Sequence, residues 1–205
     1  AQCPLVAIIR GVRTDEAEAI GEALYEAGFR IIEVPLNSPD PLRSIELLAK
    51  RFGEDAIIGA GTVLHAREVH QIVNAGGRII VSPSTDPEVI HTTVNAGLIS
   101  CPGYFTPSEA FTALRAGAHA LKLFPAEGTH PAVVKAQRAV LPRETPLLVV
   151  GGIRPDGMGA WLNAGADGFG LGSALYRPGA TPAEVAVCAQ AFVAALRNID
   201  REPSQ

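Results

Sequence analysis

Eight apolar runs of strand length recur along the chain at intervals of roughly 20 to 28 residues, and this rhythm restricts the fold more than any other feature. They are "LVAII" from Leu5, "IIEV" from Ile31, "AIIGAG" from Ala56, "IIV" from Ile79, "LIS" from Leu98, "ALKLF" from Ala120, "LLVV" from Leu147 and "GFGLG" from Gly168. Helical signals lie between them. Thr14-Asp15-Glu16 opens one helix and Ala27-Gly28 closes it; Thr106-Pro107-Ser108-Glu109 opens another and Ala116-Gly117 closes it. The Ala-Gly pair returns at Ala75-Gly76, Ala96-Gly97 and Ala164-Gly165, where glycine can take the left-handed conformation that ends a helix. Strands alternating with helices predict parallel strands joined by right-handed crossovers. Eight such units in 205 residues fit a single-domain (β/α)8 barrel spanning residues 1–205, with 199–205 expected to be a loose tail. An open doubly wound sheet is the alternative. It would normally carry G-x-G-x-x-G after its first strand, where this chain has Arg10-Gly11-Val12.

Composition removes several function classes. A hydrophobic content of 47% argues against global disorder, and a formal net charge of −4 without a basic run argues against nucleic acid. Cys3, Cys101 and Cys188 are few, odd in number and far apart, which predicts a reduced, cytoplasmic setting without disulfides or a zinc cluster. No apolar run reaches the roughly 18 residues of a membrane span, and the first residues do not read as a signal peptide.

Of three lysines, Lys50 and Lys135 fall in helical patterns, and Lys122 falls inside the strand "ALKLF". Strand alternation puts Ala120, Lys122 and Phe124 on one face, and Leu121 and Leu123 on the other. In a barrel the leucines face the helices and Lys122 points inward, towards the mouth where barrel enzymes do their chemistry. Two readings stand. Lys122 is either neutralised by a buried carboxylate as a structural pair, or it is a desolvated amine able to form a Schiff base with a ketone.

Glu33 shares a face with Ile31 and Pro35, so a carboxylate also points inward. It is either the structural partner of Arg10 or Lys122, or a general acid/base. Arg10, at the end of the first strand, can grip a carboxylate bidentately. Gly61-Thr62, Ser82-Pro83 and Pro102-Gly103 lie at further strand ends, where each singly reads as turn chemistry. Gly151-Gly152 and Gly172-Ser173 follow the last two strands, the place where barrels bind phosphate through backbone N–H groups. His65, His70, His91, His119 and His130 show no ligand-like spacing, and no metal site is expected.

In order, "EVPLNSP", "GAGTVL", "VSPS", "CPG", "LKLFPAE", "VGGI" and "GLGSALY" resemble the 2-keto-3-deoxy-6-phosphogluconate/galactonate aldolases, from Pro4 to about Arg177. The resemblance implies a trimeric (β/α)8 barrel and a class I, Schiff-base aldolase with no cofactor. Its small-molecule partners would be a phosphorylated keto-deoxy sugar acid, pyruvate and glyceraldehyde 3-phosphate. It implies Lys122 as the imine-forming residue and Glu33 as the proton shuttle. Arg10 and Thr62 would help hold the substrate carboxylate, Phe124 would pack near the imine, and Gly61, Pro83 and Val150 would also line the substrate site. Gly151, Gly152, Gly172 and Ser173 would hold the 6-phosphate.

The gluconate branch of that family usually reads "EVTLRT", with arginine aligned at Asn37, and "TGG" where this chain has Val150-Gly151-Gly152. "EVPLNSP" and "VGG" resemble the galactonate branch, which implies galactonate degradation. The two substrates differ in the configuration of one hydroxyl, so Val150 is expected to bear on selectivity at C4. The rival readings are the same reaction on the gluconate epimer and a barrel that binds sugar phosphate without turnover.

Overall fold

A computed structural model describes residues 5–199 of the chain. Cys3, Pro4 and residues 200–205 of the expected tail lie outside the described residues. The strands are β1 (Leu5–Ile8), β2 (Ile31–Pro35), β3 (Ile57–Gly61), β4 (Ile79–Val81), β5 (Ile99–Cys101), β6 (Gly103–Tyr104), β7 (Leu121–Leu123), β8 (Leu147–Val150) and β9 (Gly168–Leu171). The α-helices are α1 (Thr14–Ala27), α2 (Pro41–Phe52), α3 (Ala66–Asn74), α4 (Pro87–Asn95), α5 (Pro107–Arg115), α6 (Pro131–Arg138), α7 (Met158–Asn163) and α8 (Pro182–Arg197).

All strands pair in parallel in the order β5-β4-β3-β2-β1-β9-β8-β7-β6, a nearly closed barrel with a helix between successive strands except β5 and β6. The eight expected runs become nine strands because a further short strand, β6, follows the fifth across Pro102. β5 pairs with β4 on one side, and β6 pairs with β7 on the other. Pro102 has no N–H for a ladder, but its carbonyl accepts from the Lys122 N–H at 3.0 Å. The two ends of the sheet are therefore separated in the chain by one residue.

Strand alternation sorts the side chains into two layers. Ile79, Val81 and Cys101 pack with Ile31, Ile57, Ile99, Ala120 and Leu148 inside the barrel. Leu5, Ile32, Ile58, Leu121, Leu147 and Phe169 belong to the larger core shared with the helices. The Ala-Gly pairs end their helices as expected: Gly28, Gly76, Gly97, Gly117 and Gly165 all have positive φ. Thr106 caps α5 reciprocally with Glu109. The helix after β1 begins at Thr14, but its N-cap is Arg13, whose N–H donates to Glu16 Oε1 at 3.0 Å. Among the described residues no helix is long and apolar enough to cross a membrane.

Candidate active site

Parity on β7 sets the direction of Lys122. Leu121 and Leu123 are fully buried among the helix-facing side chains, and burial of this kind contributes roughly 2 kcal/mol per leucine. Lys122 therefore points into the barrel, and only 7% of it remains exposed. Its Nζ stands 4.9 Å from the centroid of the half-buried Phe124 ring. Burial lowers the Lys122 pKa; the Arg10 charge adds to that effect, while Glu33 and Cys101 oppose it. The lowered pKa suits a nucleophile, because the neutral amine is more populated than in water.

Glu33 enters the same interior from β2. Its Oε2 is buried, with no hydrogen-bond partner among the described residues. No ion pair joins it to Lys122 among those residues. Desolvation pushes its pKa up to about 7, against the attraction of Lys122 and Arg10. A carboxyl so placed exists in both protonation states near neutrality, which is what a proton carrier needs. The space it occupies comes from Gly61 on β3, where a Cβ would overlap both carboxylate oxygens. Cys101 shares this interior; burial pushes its thiol up to about 12, so it stays neutral there.

Arg10 lies beyond the end of β1, in an exposed turn rather than in the strand. Its Nη1 donates to Asn37 Oδ1 at 2.7 Å and to Thr62 Oγ1 at 3.4 Å. The next residues in each turn are also tied, since the Gly11 N–H donates to Ser38 Oγ at 2.9 Å. Thr62 has φ +55, a left-handed conformation costly for a β-branched residue. That conformation belongs to the turn that brings its hydroxyl to Arg10.

Val150 lies in the barrel wall, where a Cβ on neighbouring Gly170 would crowd Val150 Cγ2 and Ile8 Cδ1. Gly151 and Gly152 follow with φ +118 and +63. Their N–H groups have no partner within the described chain. Side chains there would collide with Glu127, an exposed carboxylate in the 3₁₀ turn Ala126–Gly128 after β7. On the neighbouring β9 rim, Leu175 and Tyr176 N–H groups donate to the Gly172 carbonyl, forming one helical turn. The Ser173 N–H, at the start of that turn, has no partner within the described chain. Gly172 itself borders open space, so no contact requires glycine there. A separate groove of about 620 Å³, between residues 173–180 and α8, shares only Ser173 with the expected site.

Pro83, half-buried at the end of β4, sets its carbonyl against Gly103, whose missing Cβ makes room for it. The interior thus gathers Lys122, Glu33, Cys101 and Gly61, and the rim gathers Arg10, Asn37 and Thr62. Side-chain-free Gly151 and Gly152 leave room for Glu127, whereas Gly172 borders open space. Four residues escaped the sequence reading as site members: Asn37, Ser38, Cys101 and Glu127. Parity on β5 signals Cys101 as inward, whereas Ser38 and Glu127 sit in turns where alternation gives no direction. Among the described residues no three His, Cys, Asp or Glu side chains are grouped to hold a metal ion.

A family model described as "KDPG and KHG aldolase" matches residues 1–188. The chain is 46% identical over 195 residues to the 2-dehydro-3-deoxy-6-phosphogalactonate aldolase of Escherichia coli K12, covering 95% of each chain. It superposes with a TM-score of 0.95 on a solved structure described as "Native KDPGal structure", at 45% identity and 97% coverage of each chain. The 2-keto-3-deoxy-6-phosphogluconate aldolase of Zymomonas mobilis ATCC 29191 gives a TM-score of 0.84 at 25% identity, covering 99% of this chain and 96% of that one.

Proposed function

The chain belongs to the KDPG and KHG aldolase family, and we propose that it cleaves 2-dehydro-3-deoxy-6-phosphogalactonate to pyruvate and glyceraldehyde 3-phosphate. The observation that carries the reading is the buried Lys122 amine in the same interior as the unpaired carboxyl of Glu33. The neutral amine attacks the C2 carbonyl, and loss of water leaves a protonated imine. Glu33, acting directly or through water, takes the proton of the C4 hydroxyl. The C3–C4 bond breaks, its electrons enter the imine as an enamine, and glyceraldehyde 3-phosphate leaves. Glu33 returns a proton to C3, and hydrolysis of the imine frees pyruvate and restores the amine.

The remaining groups are assigned to the ends of this substrate by their chemistry. Arg10 and Thr62 receive its carboxylate, with Gly61 and Pro83 along the same side; Phe124 packs against the imine. The free N–H groups of Gly151, Gly152 and Ser173, with Gly172, receive the 6-phosphate. The Glu127 carboxylate repels a dianion that approaches the Gly151 side too closely, so it sets where the phosphate can sit. Val150 presents an apolar wall where the gluconate branch has threonine, which removes a hydrogen bond that would favour the other C4 configuration.

In the fuller reading, β5, Pro102 and β6 form one stave, the barrel counts eight, and the chain is a single domain. Assembly as a homotrimer, a cytoplasmic location and a place in galactonate breakdown go with it. Steady-state rates on the two C4 epimers test the substrate assignment. The galactonate form should have the higher kcat/KM. Preference for the gluconate form replaces the substrate and keeps the mechanism; binding without pyruvate release from either would overturn both.

A further inference from the structure

We propose that Asn37 is a positioning residue that holds the Arg10 guanidinium at the barrel mouth without neutralising it; this rests on the reading of Arg10 as the carboxylate grip. The two turns after β1 and β2 are fastened residue by residue. Asn37 Oδ1 accepts from Arg10 Nη1 at 2.7 Å, and Ser38 Oγ accepts from the Gly11 N–H at 2.9 Å. The LNSP turn is itself tied to the neighbouring strand ends, because the Leu36 N–H donates to the Gly61 carbonyl at 2.8 Å and the Ser38 N–H to the Pro35 carbonyl at 2.9 Å. Arg10 is thus anchored to the strands that carry Glu33 and Gly61.

The chemistry of the tether matters as much as its geometry. Both side-chain acceptors of Arg10, the Asn37 amide and the Thr62 hydroxyl, are neutral. Among the described residues no carboxylate forms an ion pair with Arg10. Its charge acts on the interior, since it opposes proton uptake by Lys122 and favours the ionised form of Glu33. An acidic side chain at position 37 would satisfy the same geometry better than asparagine, through a charge-assisted bond. It would also compete with the incoming carboxylate for the guanidinium. Asparagine gives orientation and leaves the charge available, so the choice of a neutral acceptor is the specific claim.

The test compares N37A and N37D in the addition direction, with pyruvate as the varied substrate. N37A removes the tether and should raise the pyruvate KM by about threefold with little change in kcat. N37D keeps the tether but pairs the charge, and should raise KM by about tenfold or more. A merely structural tether predicts the reverse order, with N37D at or below N37A, and that order overturns the proposal. N37E repeats the charge test on a longer side chain should N37D fail to fold. Borohydride trapping of pyruvate at saturation should label all folded variants as fully as wild type. Failure of wild type to be labelled sinks the Schiff-base reading instead, so the two failures are distinguishable.

Discussion

Gly61 lacks a side chain at the one place where a Cβ would occupy the position of the Glu33 carboxylate. The two residues sit on adjacent parallel strands, and the buried carboxyl exists in its present position because its neighbour is glycine. G61A should displace Glu33 and lower kcat for cleavage by roughly 10²-fold or more. Overpacking should also cost about 1–3 kcal/mol of stability. Kinetics with thermal unfolding check this; an alanine variant of wild-type rate would mean that Glu33 position is immaterial.

A carboxyl with a pKa of about 7 gives a definite pH dependence. If Glu33 accepts the C4 hydroxyl proton, kcat/KM should rise as pH passes upward through about 7. In E33Q that limb should disappear and the rate should fall by roughly 10²–10⁴. A limb unchanged in E33Q would assign it to another group.

The same group links stability to pH. Folded Glu33 holds its proton more tightly than the ordinary value of 4.5, so its stabilising contribution is full below that pH. It is lost as pH rises through about 7. E33Q should therefore gain on wild type by about 3 kcal/mol between pH about 4 and pH about 8. Chemical denaturation of both proteins at the two pH values reads this difference, and a gap that does not widen with pH contradicts it.

Thr62 combines an awkward backbone with a useful hydroxyl. T62G relieves the left-handed strain, whereas T62A keeps it. The glycine variant should be the more stable by about 1 kcal/mol. Both lose the Arg10 contact, and both should raise the pyruvate KM. Equal KM values in wild type and both variants would remove Thr62 from the carboxylate end.

Much of this architecture is legible in the sequence because it depends on period and parity. The alternation of "ALKLF" points Lys122 inward, and that of "IIEV" points Glu33 the same way, since a one-residue slip would bury polar groups against helices. The break at Pro102 was not legible, because "LIS" and "CPG" read as a strand and its turn while pairing partners decide that β6 continues the sheet. The Arg10–Asn37 and Gly151–Glu127 encounters join turns distant in sequence, where neither alternation nor helical period assigns a direction. Thr62 was legible as a strand-end hydroxyl but not as a left-handed residue, since β-branched residues avoid that region.

Borohydride reduction in the presence of pyruvate decides whether Lys122 is the nucleophile. One pyruvate-derived adduct per chain is expected, located by peptide mass spectrometry on Lys122, with Lys50 and Lys135 unmodified. An active enzyme whose Lys122 stays unlabelled, or whose adduct maps to another lysine, would contradict that role for Lys122.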